Sequence, residues 1–434
     1  MNYLSKHWIA IKGMVVTFLI LLLLVPTIFI HSLVNERQSR QAEAFQEISD
    51  SWAYGQTVTG PVVTIPYNDY FSETNGETRK VKKYIHILPE KLEIRGEVKP
   101  EKRYRGIYET VVYVSDLEIM GHFPDLHPLL PAIPTENILF NEAFLSVGIT
   151  DLRGIENNAS IEINHKEYAF SSGVETPDIV SSGISTRIRI DKEDTLGDTN
   201  DFSMKLTLRG SQHIYFTPVG KETTLHLESS WDTPSFGGAY LPDKREITSS
   251  GFSADWKVLH LNRNYPQQWL NAAYTVEGSS FGVTLYLPVD QYTKTDRSLK
   301  YAILIIALTF LIFFFLELLN KNSIHPLQYI LIGFALSIFY TLLLSISEHL
   351  TFNLAYLISG IMTIGLITWY SRNILRDKKL AYLIAGNLVI LYGFIFVILQ
   401  LEDYALLIGS LGLFVILAIV MFFSRKIDWK GIRE

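Results

Sequence analysis

Six apolar segments along the chain are long enough to cross a membrane, and a large segment of a different pattern separates the first from the rest. The first covers residues 13–34, and the other five lie at about residues 301–319, 328–345, 352–370, 380–400 and 404–423. A helix rises about 1.5 Å per residue, so about 20 apolar residues cross a hydrocarbon core about 30 Å thick. The pattern predicts six transmembrane helices, one before and five after a domain that faces water.

The first apolar segment has no small-residue cleavage site of the kind that follows a signal peptide. It also continues past His31 without a break in its apolar character. We therefore expect an uncleaved anchor helix, in which Pro26 produces a tolerated kink.

The segment after the anchor changes from a helical to a strand-like pattern. Phe45, Ile48 and Trp52 recur at three- and four-residue spacing on a polar background, which predicts an amphipathic helix leading out of the membrane. Alternation with period two then appears at residues 62–67, 84–88, 91–98, 111–119, 160–164, 186–190, 204–208, 223–229 and 283–287. These runs predict mainly antiparallel sheet, as a β-sandwich or two packed sheets, without parallel βαβ units.

The combined pattern predicts an α+β membrane protein with a large extracytoplasmic β domain inserted after the first helix. The predicted parts are a cytoplasmic N-terminus at 1–12, the anchor at 13–34, an amphipathic linker at 35–53, the β domain at 54–299, a five-helix bundle at 300–424 and a cytoplasmic tail at 425–434. The glycines and prolines of the domain, including Gly60 and Pro61, are expected in turns at strand ends.

Basic residues indicate how the chain is oriented in the membrane. The short loops that contain Glu348-His349 and Glu402-Asp403 have no Lys or Arg. The basic residues outside 34–300 fall on the opposite side of the six alternating helices, at Lys6, Lys12, Lys321, Arg372, Arg376, Lys378, Lys379, Arg425, Lys426, Lys430 and Arg433. The positive-inside rule then predicts cytoplasmic termini and an extracytoplasmic segment 34–300.

Composition excludes several classes of function. Residues 34–300 contain 37 acidic and 27 basic residues, so this segment would repel the phosphates of nucleic acid. The chain contains no cysteine, which excludes disulfides, Cys-zinc sites and thiol catalysis. Motifs for zinc proteases, serine hydrolases, penicillin-interacting enzymes and P-loop nucleotide binding do not occur. We predict no cofactor, no metal and no recognised catalytic residues.

Several motifs resemble the CreD family of bacterial inner-membrane proteins, also known as the colicin-tolerance family. The resemblance extends over most of the chain and rests on SWAYGQTVTGP at 51–61, IPY at 65–67, RGIY at 105–108, PSFGG at 234–238, GF at 251–252 with Trp256, PVD at 288–290, IHPLQY at 324–329 and SISEH at 345–349. Ala53 departs from the glycine expected there. The resemblance implies a plasma-membrane protein of an envelope-stress response that affects tolerance to colicins and β-lactams, without a known reaction.

Ionisable residues in or near the apolar segments are candidate functional residues because buried charge is costly there. Glu317 precedes Lys321 by one helical turn, which favours an ion pair at the membrane interface. His325 precedes Pro326 in a turn and is expected to be a neutral loop residue. Glu348 and His349 are adjacent and could bind a cation or move a proton, although a cap at a helix end is the simpler interpretation.

The remaining candidates belong to the predicted β domain. Aromatic residues contribute strongly to binding surfaces, so Trp52, Tyr108, Phe236 and Trp256 could line a groove, although core packing also accounts for them. Gln56 and Arg105 lie in the conspicuous motifs and complete the set of candidates.

Three classes of function remain open. The first is a non-enzymatic envelope protein whose domain binds a protein or a cell-wall component, while the helices in the lipid bilayer anchor it or relay its state inward. The second is a small transporter or channel, and the third is an unrecognised membrane enzyme. A polar cavity in the bundle would favour transport, and an outer cleft with an acid and a base would favour an enzyme.

Overall fold

The computed structural model describes residues 8–72, 78–124, 126, 133–190, 200–285, 291–320, 324–375, 377–401 and 404–425. The chain forms two compact units. One unit comprises Met1–Ala42 with Val289–Glu434, and the other comprises Glu43–Pro288. We call them the membrane unit and the β domain.

Apart from the polar helix α3, which lies within the segment expected to be β domain, the helices of the described residues agree in type and position with the apolar segments and the linker. They are α1 (Trp8–Leu22), α2 (Leu24–Ser51), α3 (Gln291–Lys300), α4 (Ala302–Asn320), α5 (Pro326–Ser347), α6 (Phe352–Leu375), α7 (Lys378–Gln400) and α8 (Ala405–Ser424). Four stretches are long and apolar enough to cross a membrane: Ile11–Ser51, Pro326–Ser347, Phe352–Leu375 and Lys378–Gln400. The pair Gln291–Lys300 and Ala302–Leu318, bent by 41°, makes a fifth if it is counted as one span, and Leu407–Phe422 is a shorter apolar helix.

Pro26 does not break the anchor. Helix α2 begins at Leu24, so Pro26 lies in its first turn, where backbone N–H groups have no partner within the helix in any case. The interruption between α1 and α2 is confined to Leu23, whose backbone N–H still donates to the carbonyl of Leu19 at 3.0 Å. The anchor and the predicted amphipathic linker are therefore parts of one long helical segment.

The β domain contains two sheets, as the alternating runs predict. The strands are β1 (Gln56–Ser72), β2 (Thr78–Ile87), β3 (Lys91–Arg105), β4 (Tyr108–Phe123), β5 (Phe144–Ile149), β6 (Ser160–Ile163), β7 (Lys166–Ala169), β8 (Ser171–Ser172), β9 (Gly183–Arg187), β10 (Asn200–Ser211), β11 (His213–Thr217), β12 (Glu222–Ser229), β13 (Pro234–Gly238), β14 (Lys244–Thr248), β15 (Gly251–Leu259), β16 (Gln268–Leu270) and β17 (Phe281–Leu285). The first sheet has the order β13-β17-β11-β1-β5-β9-β8, and off this path β2 pairs with β1 and β16 pairs with β2. The second has the order β14-β15-β12-β3-β4-β10-β6-β7.

Strand pairing is antiparallel except between β1 and β11 and between β3 and β12. One hydrophobic core serves both sheets: Ile65 and Ile85 of the first sheet belong to the same buried cluster as Ile94, Leu117 and Trp256 of the second. Because the apolar face of each sheet is covered by the other, this unit buries its core without lipid.

The structure corrects the expectation that Gly60 and Pro61 lie in a turn. Both residues lie inside β1, at a register shift between Thr59 and Val62 where the strand pairs with β5. Gly60 has φ +119°, and a Cβ there would lie 2.9 Å from the carbonyl oxygen of Ser146. The motif thus forms a β-bulge within a central strand.

We predict that residues 43–288 fold without the membrane unit, because their core is internal. A fragment of residues 54–288 should be less stable by about 2 kcal/mol or more, since it lacks Trp52 and the helix end that packs on the sheets. Urea unfolding followed by circular dichroism measures the difference. As a control, replacing the exposed Glu43 by Ala in the longer fragment should change its stability by less than about 0.5 kcal/mol. Equal stability of the two fragments would contradict the prediction.

Candidate functional site: the anchor helix and its contacts

The long helical segment formed by α1 and α2, which we call the anchor helix, makes polar contacts within each of the two units. Its apolar side packs within the membrane unit, where Val16, Leu19 and Leu23 are buried. A Cβ at Gly333 of α5 would lie 2.0 Å from Leu23 Cδ1. A glycine at that position therefore lets the two helices approach closely, as small residues commonly do between membrane helices.

One end of the anchor helix is held by a buried ion pair. The ammonium of Lys12 contacts the carboxylate of Glu317, a residue of α4 whose side chain is 1% exposed. Glu317 also accepts hydrogen bonds from the Ile324 backbone N–H at 2.9 Å and from the Tyr329 hydroxyl at 3.2 Å. Lys12 Nζ donates to the Ile324 carbonyl oxygen at 3.1 Å. The network satisfies both charges and joins α1, α4 and the start of α5.

This arrangement differs from the interfacial pair that the sequence favours. Lys321 lies outside the described residues, and the Glu317 carboxylate is buried among helices instead of being exposed at a surface. The observed partner, Lys12, is separated from it by most of the chain. An unpaired carboxylate at this position would be costly, which explains why so many donors converge on it.

A second set of polar contacts lies further along the anchor helix. Arg37 Nε lies 3.5 Å from Glu348 Oε1, and the Tyr292 hydroxyl of α3 donates to the same oxygen at 3.4 Å. Lys12 and Arg37 are 25 residues apart, so they are separated by about 37 Å along a helix. A hydrocarbon core is about 30 Å thick, so this separation is long enough for one charge contact to lie at each edge of the core.

The last turns of α2 belong to the β domain and pack on it through Ser49 and Trp52. Ser49 Oγ lies 3.0 Å from Ser211 Oγ, and Trp52 Nε1 donates to the Tyr113 carbonyl oxygen at 3.3 Å. The Trp52 ring also receives two guanidinium groups, with Arg103 Cζ at 5.2 Å and Arg209 Cζ at 4.6 Å from its centroid. Cation–π contacts of this kind and the buried serines fix the helix end to the sheets.

Gln56 holds the chain immediately after the helix. Its side chain is fully buried and donates from Nε2 to the carbonyl oxygens of Asp151 and Arg209, at 2.9 and 3.0 Å. Asp151 in turn accepts from the Arg153 side chain and from the Tyr54 backbone N–H. The hydrogen bonds from Arg153, opposed by partial burial, lower the pKa of the Asp151 carboxyl. Gln56 is therefore a structural residue in this domain.

A cleft of about 490 Å³ lies beside this helix end in the β domain. It is lined by Glu47, Ile48, Asp50, Ser51, Trp52, Arg103, Tyr104 and Arg105. Arg105 Nε donates to Glu47 Oε2 at 2.8 Å, so one rim of the cleft is an ion pair. Tyr108 lies opposite Arg105 in the β3–β4 hairpin, so Trp52 and Arg105 line the cleft and Tyr108 is next to it.

Two of the predicted groove residues lie elsewhere. The Trp256 side chain is 2% exposed, and its ring packs against Phe236 with centroids 5.6 Å apart. Of the two interpretations given from the sequence, core packing applies to Trp256 and the exposed groove does not, because its strand directs the ring into the shared core of the two sheets.

The remaining candidates have local roles in the membrane unit. His325 Nδ1 accepts from the Leu327 backbone N–H at 3.3 Å, and Pro326 begins α5, so His325 caps that helix. Glu348 occupies the C-cap of α5, as the simpler interpretation expects, while His349 is exposed. The Glu348 carboxylate turns toward Arg37 and Tyr292.

A groove of about 690 Å³ lies between α4, α7 and α8, open on one side where Ile390 and Leu411 are exposed. Its lining is aliphatic and aromatic, with Asn387 as a polar member. An apolar lining of this kind suits hydrocarbon chains and lacks the row of polar groups that an ion would need.

Comparison with known proteins agrees with this architecture. The family model described as "Inner membrane protein CreD" matches residues 8–430. The inner membrane protein CreD of Escherichia coli (strain K12) is 32% identical over 415 residues, which cover 94% of this chain and 91% of that protein. The chain belongs to the CreD family. It is thus a member of a family of inner-membrane proteins, and the sequence motifs that suggested CreD are confirmed as a family resemblance.

Sequence reasoning missed several residues that hold this CreD-family chain together. From the sequence, Lys12 is interpreted only as a loop charge, and Arg37, Arg103 and Arg209 are not singled out. A signal existed for Lys12: a basic residue at the edge of one apolar helix and an acidic residue within another favour a mutual contact, since each is costly alone. Arg103 and Arg209 lie on strands remote in sequence, and no local pattern connects them to Trp52.

We predict that Lys12→Met destabilises the full-length chain by about 3–5 kcal/mol, because it leaves the buried Glu317 carboxylate without a countercharge. Adding Glu317→Gln should recover much of this loss, since the amide oxygen can still accept from the Ile324 N–H and the amide NH2 can donate to the Tyr329 hydroxyl oxygen. Thermal unfolding in detergent micelles measures both variants.

The exposed pair of Glu36 with Arg40 gives the matched control. Glu36→Gln should change stability by less than about 1 kcal/mol, as is usual for exposed pairs. A double variant as unstable as Lys12→Met alone would show that the missing countercharge is not the cause.

Proposed function

We propose that this CreD-family chain is a non-enzymatic membrane protein of the envelope-stress response that influences tolerance to colicins and β-lactams. In this proposal the β domain lies outside the cytoplasm and binds an envelope protein or a component of the cell wall. The anchor helix transmits the bound state to the membrane helices.

The observation that carries the proposal is the continuity of α2 from Leu24 to Ser51. Within the membrane unit the anchor helix is held by Lys12 and Arg37, and within the β domain its last turns are held by Trp52. A helix resists bending because every turn is hydrogen-bonded to the next. A displacement of the β domain would therefore act on the membrane unit through this helix.

Three further observations support binding over the other classes. The Glu348 carboxylate has basic and phenolic partners and His349 is exposed, so the adjacent pair does not form an acid–base dyad. The groove between α4, α7 and α8 has an apolar lining, which suits an anchor better than an ion pathway. The cleft at Trp52 and Arg105 offers aromatic and charged groups to a partner.

The proposed orientation, with both termini cytoplasmic, predicts which positions react with a membrane-impermeant thiol reagent. The chain has no native cysteine, so single cysteines can be introduced without background. Lys166→Cys, in the exposed β6–β7 hairpin, should react in intact cells. Asn373→Cys, near the end of α6, should react only after the membrane is permeabilised. Labelling of Asn373→Cys in intact cells would contradict the orientation.

The proposed transmission predicts that a break in α2 uncouples the two units. Ala42→Pro lies at an exposed position and removes a backbone hydrogen bond, at a cost of about 3 kcal/mol in a helix interior. Cells that depend on this variant should lose tolerance to a β-lactam or a colicin, while the protein remains in the membrane at normal levels.

Ala42→Lys is the matched control, because lysine is a good helix former and the position is exposed. It should retain tolerance. Full tolerance with Ala42→Pro, at normal protein levels, would exclude transmission through the helix.

A further inference from the structure

A cleft of about 410 Å³ opens within the membrane unit where α2 and α3 meet. It is lined by Thr27, Ile28, His31, Ser32, Asn35, Asp296, Leu299 and Lys300. The cleft has a polar part and an apolar part. None of its residues belongs to the contacts described above for Lys12 or Arg37.

The polar part contains a carboxylate, Asp296, with one oxygen that has no hydrogen-bond donor among the described residues. Asp296 Oδ2 pairs with Lys300 Nζ at 2.9 Å. The other oxygen, Oδ1, is buried, and among the described residues it has no hydrogen-bond partner. His31 Nε2 lies 3.6 Å from it, beyond hydrogen-bond distance. A buried carboxylate oxygen without a donor is unfavourable, so this atom indicates where a cationic donor would bind.

The cleft also offers donors to an anion. The Lys300 side chain is 66% exposed, and its ammonium has three N–H groups, of which Asp296 requires one. Ser32 and Asn35 add a hydroxyl and an amide to the same cleft. A ligand that carries a primary ammonium and a phosphate would match Asp296 and Lys300 at the same time.

The apolar part of the cleft indicates that this ligand carries hydrocarbon chains. Ile28 and Leu299 line it, and Ile28 is 67% exposed on the face of the anchor helix. His31 lies at the polar end of the apolar run that begins at residue 13. A site with apolar residues on one side and charged residues on the other is typical of the boundary between acyl chains and head groups.

We propose that this cleft binds an aminophospholipid. The ammonium of the lipid head group donates to Asp296 Oδ1, its phosphate accepts from Lys300 and from Ser32 or Asn35, and its acyl chains pack along Ile28 and Leu299. A phospholipid with a quaternary ammonium cannot donate this hydrogen bond, and one with a glycerol head group has no cation for Asp296. Soluble phosphoethanolamine shares the polar groups and lacks the chains.

The test uses the purified full-length chain in detergent and native mass spectrometry, with dioleoyl phosphatidylethanolamine, phosphatidylcholine and phosphatidylglycerol added separately. Phosphatidylethanolamine should bind about tenfold more tightly than phosphatidylcholine, the scale expected for one hydrogen bond between charged groups. Asp296→Asn should remove that preference. Lys300→Gln should weaken the binding of all three lipids, because each carries the phosphate.

The controls are two variants that remove the same charge as the test variants at positions outside the cleft. Glu36→Gln matches Asp296→Asn, and Lys294→Gln, on α3 where Lys294 lies 5.9 Å from the Phe352 ring, matches Lys300→Gln. Both should keep the wild-type preference. If the Asp296 variant is not stable, the binding of the three lipids to the wild-type chain tests the proposal by itself.

Equal binding of phosphatidylethanolamine and phosphatidylcholine by the wild-type chain would overturn the proposal, and so would an unchanged preference in Asp296→Asn. Free phosphoethanolamine should not displace the bound lipid at equal concentration, because it lacks the chains that contact Ile28 and Leu299. Displacement at equal concentration would show that the lipid proposal is wrong and that the cleft binds a soluble phosphoamine.

Discussion

The contact between Lys12 and Glu317 is the interaction on which the membrane unit depends most directly. Either charge alone would be costly among apolar helices, whereas together they form a network that also satisfies the Ile324 backbone and the Tyr329 hydroxyl. Because that network requires α1, α4 and the start of α5 at one place, it determines which helices surround the anchor. The close approach of Leu23 to Gly333 then follows along the same helix.

The anchor helix is subject to two different physical constraints along its length. In hydrocarbon its backbone must be hydrogen-bonded internally, which only a helix achieves within one segment. In water that constraint no longer applies, and α2 persists to Ser51 because the β domain covers one of its sides through Ser49 and Trp52. Tertiary contacts therefore maintain the helix where lipid no longer does, and the same residues join the helix to the sheets.

Much of the fold is predictable from periodicity, and much of the site is not. The length of the apolar segments predicts the membrane helices, and period-two alternation predicts most of the long strands. Both patterns are local, because they reflect which side chains face lipid, water or the protein core. Pairing across the chain has no such local signal: Lys321 is the nearest base to Glu317 in sequence, yet the described contact is with Lys12. Gly60 and Pro61 resemble turn residues, and only the neighbouring strand reveals that they form a bulge.

The positions that sequence suggests as chemical are mostly engaged in structure, and this bears on what the protein does. Gln56 bonds three backbone groups, His325 caps a helix and Trp256 packs in the core. A catalytic or transporting residue must be able to exchange its partner for a substrate. The Gln56 and Trp256 side chains are buried, and His325 Nδ1 is occupied by a backbone N–H. Residues that line open clefts include Trp52 and Arg105 in the β domain and Asp296 and Lys300 in the membrane unit. Groups of this kind recognise a partner by charge and shape, and this is the physical basis on which we propose binding as the activity of this chain.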